Sequence, residues 1–336
     1  MAMFEKILKR VLLAAVSLFA IITITFFLMN IIPGDPFMSE KATEETRAIL
    51  IAKYGLDKPL IVQYGRYLQN LFHGDMGTSY VLQKGRAIST IVTESFAVSM
   101  RLGLKALIAA ILIGVPLGCI AGLFKGKAAD GAIRVISAIG ISIPGYVLAA
   151  VLMLVLAVNL KALPVSYGKP GGDVMPIIVL AVYPTCYLMR LTRASILEVL
   201  GQDYLKTERA RGMGEGRVIF IHALKNSLIP IITYLGPLTA SILTGGFVAE
   251  SVFNVPGLGR YFVNAISARD YTLIMGVTVF YAALIITMNL ICERPVRSQF
   301  PRMRGWSRPA PSRFRYSPAC LIPWRRMEYH LMHSIR

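Results

Sequence analysis

The chain has little charge and few cysteines. Charged residues make up only 16 % of the 336 residues, whereas hydrophobic residues make up 55 %. This balance excludes an ordinary soluble domain and indicates a polytopic membrane protein. The four cysteines form no CxxC pair, and three of them fall inside apolar stretches. We therefore expect neither a disulfide framework nor a metal site.

The sequence also lacks the signatures of enzymes. It contains no HExxH, GxSxG or P-loop motif, and no pair of carboxylates lies within an apolar stretch. We therefore expect no catalytic residue and no cofactor. Any ATP hydrolysis that drives the protein has to come from a separate subunit.

Ionisable residues are missing from the middle of the apolar stretches, where ion-driven transporters usually place them. Arg101 and Lys105 come closest, at the outer end of the second stretch. We expect them to be snorkelling anchors, with a position at the mouth of a pathway as the alternative. A secondary transporter needs an intramembrane ionisable site or an inverted repeat, and it remains the alternative of another class.

Six apolar stretches are present, and about 20 such residues cross a bilayer as a helix. They are residues 11–32, 106–124, 135–160, 174–189, 227–249 and 271–292. The fourth is short, and we expect Arg190 and Arg193 to snorkel at its end. The fold prediction is an all-α polytopic membrane protein with six transmembrane helices.

Basic residues in the short loops set the orientation. They concentrate before the first stretch, between the second and third, and between the fourth and fifth. We therefore expect both termini to be cytoplasmic in a multi-pass protein of the cell membrane, with residues 33–94 outside. The first stretch is interpreted as an uncleaved anchor because it is long and no A-x-A-like site follows it.

The net charge of +18 does not predict a nucleic-acid partner. Most of the basic residues are topology signals that face an anionic lipid leaflet. No basic patch interleaved with aromatic residues is present in the body of the chain. The lipid membrane is the expected partner of this charge.

Prolines and glycines interrupt several of the apolar stretches, and kinked spans are tolerated where they line a cavity. We interpret these residues as candidates for a flexible translocation path, with ordinary helix packing as the alternative. The path candidates are Pro116, Pro144, Gly145, Gly236 and Pro237. A separate small-residue stripe, Gly114, Gly118 and Gly122, predicts a close helix contact.

A charged, helix-forming loop lies between the fourth and fifth stretches. Asp203 is a plausible N-cap and Gly212 a plausible C-terminal stop of a short helix. Such a helix does not persist alone in water, so Tyr204 and Leu205 are expected to pack it against its surroundings. A second helix is expected from Glu215 towards Pro230. The alternative is a solvated loop.

This loop resembles the coupling loop of binding-protein-dependent ABC importer permeases. The residues that carry the resemblance are Asp203, Tyr204, Leu205, Thr207, Glu208, Ala210, Gly212, His222 and Pro230. Glu208 departs from the alanine that is usual in the family. Further motifs are IPGDP (32–36), KYGLDKP (53–59), HGDMG (73–77), SFAVS (95–99) and PGLG (256–259). Together they resemble the oligopeptide, dipeptide and nickel branch, closest to the oligopeptide subunit.

The resemblance implies a half-channel whose cytoplasmic coupling helix lies between the fourth and fifth spans. Its implied partners are a homologous second permease subunit, two cytoplasmic ABC ATPase subunits and an extracytoplasmic substrate-binding protein. The implied substrate is a peptide, with a nickel chelate or another small solute as the alternative.

Three regions are expected along the chain. Residues 1–95 form an anchor helix and an extracytoplasmic segment, residues 96–292 form the permease core, and residues 293–336 form an atypical tail. The tail has ten arginines and six prolines but no lysine. We interpret it as disordered or out of frame, with a basic tail lying on anionic lipid as the alternative.

Overall fold

The computed structural model describes residues 2–31, 51, 55 and 57–298. The regular elements in these residues are helices, with one isolated antiparallel bridge between Thr78 and Ala87. The all-α prediction is confirmed. The predicted tail lies outside the described residues from position 299 onwards, as do the IPGDP motif and part of the KYGLDKP motif.

Eleven helices, numbered in chain order, make up the described part of the chain. They are α1 (Ala2–Ile31), α2 (Leu60–Phe72), α3 (Ile88–Leu123), α4 (Ala128–Ser142), α5 (Gly145–Leu152, continued by the π-helical Met153–Asn159), α6 (Val174–Leu200), α7 (Asp203–Ala210), α8 (Glu215–Arg217, the π-helical Val218–Ala223 and Leu224–Gly245), α9 (Phe247–Val252), α10 (Leu258–Ala268) and α11 (Tyr271–Ser298).

Five stretches of helix in the described residues are long and apolar enough to cross a membrane. They are Leu8–Ile31, Ile88–Leu123, Val174–Leu200, Glu215–Val252 and Tyr271–Ile291. Helices α4 and α5 meet the same criteria when taken together, and they are bent by 99° at the break between them. The count therefore agrees with the six predicted spans when the bent pair is taken as one.

The break between α4 and α5 has a local cause. Ile143 has an extended backbone (φ −76°, ψ 119°) and precedes Pro144, whose ring disfavours a helical conformation in the residue before it. Helix α4 therefore ends at Ser142. The third apolar stretch was predicted as one span interrupted at Pro144 and Gly145, and the structure divides it into two helices at that point.

Helices α3 and α6 pack closely along the predicted small-residue stripe. A Cβ atom added to Gly114 would lie 2.7 Å from the carbonyl oxygen of Thr185, and one added to Gly118 would lie 2.6 Å from Cβ of Thr192. Gly114 and Gly118 therefore contact successive turns of α6 in the same order along the chain. The two helices run parallel. The absence of side chains at these glycines is what lets the two backbones approach.

The fourth span is longer than its apolar pattern suggested, because α6 continues to Leu200. Asp130 is 1 % exposed and accepts hydrogen bonds from Nε (2.6 Å) and Nη2 (3.0 Å) of Arg193. The backbone N–H of Gly126 also donates to this carboxylate. The prediction that Arg193 snorkels is wrong, since a buried carboxylate on α4 holds it.

Two buried carboxylates fix the elements around α10. Glu250 accepts a hydrogen bond from the Ser99 hydroxyl (2.7 Å) and another from the backbone N–H of Arg260 (3.0 Å). Asp270 is fully buried and precedes α11. It accepts from the hydroxyl of Ser79 and from the backbone N–H groups of residues 80, 81, 82 and 273.

Candidate functional site

The predicted short helix between the fourth and fifth spans is present as α7. Its N-cap is Gln202 rather than Asp203, so that part of the prediction is wrong. Asp203 occupies the first helical position, where its charge still favours the helix dipole. Its carboxylate forms an ion pair with Lys206 (2.8 Å), and the hydrogen bond from that ammonium group lowers the pKa of Asp203.

Leu205 attaches α7 to the rest of the protein. Its side chain is fully buried in a small cluster with Val218 and Ala223 of the π-helical turn in α8. Tyr204 contributes through its hydroxyl group rather than by burial. That hydroxyl donates to the backbone oxygen of His222 (3.3 Å) and accepts from Nδ2 of Asn226 (2.8 Å).

One face of α7 remains open to solvent. Asp203, Lys206, Thr207 and Ala210 are all exposed, and their spacing of three and four residues places them on the same side of the helix. Glu208 lies off this face: its side chain is only 19 % exposed and forms an ion pair with Arg211. The family departure at this position therefore does not place a carboxylate in the middle of the exposed face.

The end of α7 confirms the predicted stop. Gly212 has φ +81°, a left-handed conformation that glycine adopts without steric cost. Its N–H donates to the oxygen of Arg209 (2.9 Å), and Arg209 in turn forms an ion pair with Glu215 at the start of α8 (2.7 Å). The short helix is thus fastened at both ends.

Two residues that the sequence pattern had grouped with α7 lie in the following helix, α8. His222 lies in the π-helical turn beside Tyr204, so its backbone belongs to the same assembly. Pro230 lies inside α8, which begins at Glu215 as predicted and runs on to Gly245.

The five path candidates do not form one site. Pro144 and Gly145 lie at the break between α4 and α5, whereas Pro116 and Pro237 lie within uninterrupted helices. These four residues are exposed, and Gly236 is buried. Of the five, only the Pro144–Gly145 pair coincides with a change in chain direction.

Lys105 is a paired residue rather than a free snorkelling anchor. Its ammonium group on α3 lies 2.5 Å from the carboxylate of Asp173, immediately before α6. The hydrogen bond from Lys105 lowers the pKa of Asp173. This contact ties together the first turn of α6 and the middle of α3.

Sequence reasoning missed a cleft between α4 and α6. Its lining combines Arg134, Ser137, Tyr183, Tyr187, Arg190 and Arg193 with the apolar side chains of Ala138, Ile141, Leu191 and Ala194. The signal that was available is the spacing of Tyr183, Tyr187 and Arg190, which places three polar groups on one side of a spanning helix. Among the described residues, no group of His, Cys, Asp or Glu is placed to bind a metal ion.

Comparison with protein families accounts for most of this architecture. Residues 114–305 match the binding-protein-dependent transport system inner membrane component, and residues 3–100 match the N-terminal region of the same kind of membrane component. The chain belongs to this family. It is a multi-pass inner-membrane subunit of an ABC importer, a transport component rather than an enzyme.

Relatives support the assignment over nearly the whole chain. The dipeptide transport system permease protein DppB of Bacillus subtilis is 41 % identical over 90 % of this chain and 98 % of its own length. The oligopeptide transport system permease protein OppB of Haemophilus influenzae is 39 % identical over 87 % of this chain and 96 % of its own length.

A solved structure has the same fold. The MetNI methionine ABC transporter in its inward-facing conformation contains a chain that matches with a TM-score of 0.50 and 15 % identity. The match covers 62 % of this chain and 96 % of that one. At this identity the similarity establishes the fold and not the substrate.

Proposed function

We propose that this permease subunit moves peptides across the cytoplasmic membrane, driven by ATPase subunits that dock on α7. The names of the dipeptide and oligopeptide permeases, which match nearly full length, support the peptide as substrate. The alternative within the same class is a nickel chelate or another small solute, because the binding protein that selects the ligand is a separate chain.

The observation that carries the coupling role is the construction of α7. It is a short charged helix with one exposed face, and its single buried apolar anchor reaches the turn that begins α8. A helix of eight residues is not stable by itself. It therefore transmits force to α8 through Leu205 and the hydrogen bonds of Tyr204 when a partner pushes on the exposed face.

The proposed assembly has two permease subunits. The second is a homologous permease, joined by two cytoplasmic ATPases and one extracytoplasmic substrate-binding protein. Both termini and α7 are cytoplasmic, in agreement with the basic residues of the short loops. The face around α10 and residues 73–87 is then extracytoplasmic and receives the binding protein.

Replacing Gly212 tests the coupling role. In Gly212→Val a β-branched residue has to adopt φ +81°, which costs about 1–2 kcal/mol and shifts the turn after α7. We expect ATP-dependent peptide uptake by the reconstituted importer to fall about tenfold, since such an energy is a tenfold change in an equilibrium. The measurement is uptake of a labelled tripeptide into vesicles containing the complete importer.

Gly131→Val is the matched control, because a side chain added at Gly131 of α4 meets open space and this glycine has no left-handed conformation. It should transport as the wild type does. Normal uptake by the Gly212 variant at equal membrane levels would count against the coupling role of this turn.

A further inference from the structure

The cleft between α4 and α6 has the size and the lining of a binding site. Its volume is about 640 Å³, within the range of roughly 300–1,000 Å³ that is usual for small-molecule pockets. Three of its residues are arginines, and two are tyrosines. Such a lining is expensive on the lipid-facing side of a spanning helix, so it indicates water or protein next to the cleft.

A neighbouring depression between α3, α4 and α6 shows an apolar surface of the kind that faces lipid. It is lined by apolar side chains that include Ile113, Ile136 and Ile139, and no charged residue contributes to it. Ile136 and Ile139 are more than half exposed. The polar cleft and the apolar depression therefore divide α4 into two sides of different chemistry.

The charges in the cleft are not balanced. Asp130 pairs with Arg193 at 2.6 Å and with Arg134 at 3.5 Å, so one carboxylate forms ion pairs with two guanidinium groups. Arg190 is exposed, and it forms no ion pair or side-chain hydrogen bond with any residue that the structure describes. Its planar fork of donors matches a carboxylate in a bidentate arrangement.

A row of tyrosine rings leads from the cleft towards α8. Tyr183 and Tyr187 stack with centroids 6.4 Å apart, and Tyr187 stacks on Tyr234 at 4.5 Å. Aromatic rings with hydroxyl groups accept both apolar and polar groups. The tyrosine row can therefore contact ligand side chains of different chemistry. The arginines at the charged end of the cleft can bind a charged group that every ligand shares.

Building on the proposed function, we propose that this cleft binds the C-terminal carboxylate of the peptide in transit. Arg190 forms the ion pair, and Tyr183 and Tyr187 contact the adjoining residue of the peptide. Free peptides differ in their side chains, but all of them carry this carboxylate. A permease that transports many peptides can therefore bind each of them through the same group. A phosphate of an anionic lipid has similar chemistry. The row of tyrosines continuing to α8 favours the peptide, since a lipid phosphate needs only the arginines.

The test compares two peptides in vesicles that contain the complete importer. One is a tripeptide with a free C-terminal carboxylate, and the other is its C-terminal amide. Each is supplied at a concentration that saturates the binding protein, as checked by calorimetry. In Arg190→Gln we expect uptake of the free acid to fall about tenfold, the size of one lost charge-assisted contact, and uptake of the amide to stay unchanged.

Two further variants sharpen the result. Arg190→Lys keeps the charge without the bidentate fork and should recover part of the uptake. Lys125→Gln removes the same charge from an exposed position between α3 and α4 outside the cleft, and should change neither peptide. Equal losses for acid and amide, or no loss for the acid, would overturn the proposal.

A cross-linking measurement is independent of transport rates. Ala194 lines the cleft and is exposed, so Ala194→Cys places a thiol there. A peptide with an activated disulfide on its C-terminal residue should link to it during turnover, and one labelled at the N-terminal residue should not. The unsubstituted chain gives the background from its own cysteines, and preferential linking of the N-terminal label would contradict the proposal.

A comparison of vesicle compositions distinguishes the peptide carboxylate from a lipid phosphate as the anion that the cleft binds. The Arg190→Gln comparison is repeated in vesicles of phosphatidylcholine alone and of phosphatidylcholine with phosphatidylglycerol. An effect confined to the anionic vesicles would assign the cleft to lipid and overturn the proposal. Failure of the wild-type importer to take up any peptide would defeat the proposed function itself, a different result from transport that ignores Arg190.

Discussion

Asp130 shows how a single residue determines the geometry of the bundle. It is 1 % exposed, and its carboxylate joins α4 to Arg193 of α6 and to the backbone of Gly126. An isolated carboxylate at this depth would be costly, and the three donors offset that cost. The residue therefore fixes the angle at which α4 leaves the loop after α3.

Asp130→Asn should destabilise the protein strongly. The variant removes the charge with which both Arg193 and Arg134 pair, and its amide can place a donor against the N–H of Gly126, so we expect a larger loss of stability than at an exposed ion pair. Thermal unfolding of the detergent-solubilised chain should show the loss. Glu94→Gln is the control: it breaks an ion pair with Arg86 whose side chains are 40 % and 59 % exposed, and such exposed pairs contribute about 0–1 kcal/mol. Equal unfolding temperatures for the Asp130 variant and the wild type would contradict the assigned role.

Long-range contacts such as that of Asp130 could not be predicted from the sequence. The glycine stripe and Gly212 were predictable, since small residues at a spacing of four and a glycine after a short helix have local physical meanings. The pairing of Asp130 with Arg193 joins positions 63 residues apart and leaves no trace in periodicity. Arg190 and Arg193 have similar places in the pattern, yet one is paired and the other is exposed.

At the level of elements, α7 depends on one side chain. Its exposed face is polar, and Leu205 supplies the buried apolar contact with α8. A helix this short gains most of its stability from packing. Loss of that packing should leave the spans intact while it releases the helix.

Leu205→Ala should therefore uncouple the ATPases without preventing insertion. Truncating a buried leucine costs about 2–5 kcal/mol, enough to detach α7. The measurement is ATP hydrolysis by the reconstituted importer stimulated by the peptide-loaded binding protein, which should fall to near the unstimulated level. Ile221→Ala is the control, since Ile221 is 51 % exposed beside the same turn. Full stimulation in the Leu205 variant would show that α7 is held by other contacts.

The element boundaries were less predictable than the elements themselves. All six spans and α7 were predicted, but α6 extends beyond the apolar stretch because its last turns are stabilised by an ion pair and by packing on α8. The break before Gly145 follows from Pro144, but the sequence pattern gives no value for its angle, which is 99°. Hydropathy reports the lipid-exposed surface and carries no information on these contacts.

At the scale of the whole molecule, Asp270 joins segments that are far apart in sequence. Its carboxylate accepts hydrogen bonds from six groups on residues 79–82, 272 and 273. It therefore caps α11 and holds the turn before α3 at once. Glu250 has a comparable role beside Ser99. Both contacts join residues more than 150 positions apart, so the sequence pattern does not predict them.

Asp270→Asn should loosen the 79–82 turn. The amide group brings a donor to a site already occupied by donors, and each buried group left without a partner costs about 1–3 kcal/mol. Amide hydrogen exchange at residues 80–82 should become faster, while exchange in α6 stays the same. Asp57→Asn, at an exposed position, serves as the control. Unchanged protection of the turn would show that Asp270 is dispensable for it.

The length of α3 has a mechanical consequence. It contains 36 residues, so it measures about 54 Å at 1.5 Å per residue, well beyond a hydrocarbon thickness of about 30 Å. The tight contact at Gly118 lies near one end of this helix, and Ser99 sits about 28 Å along the axis from it. Because Ser99 bonds Glu250, a single rigid element joins the contact with α6 to the segments around α10. We therefore expect a displacement at one surface of the protein to reach the opposite surface through this helix, with no charge moving through the bilayer.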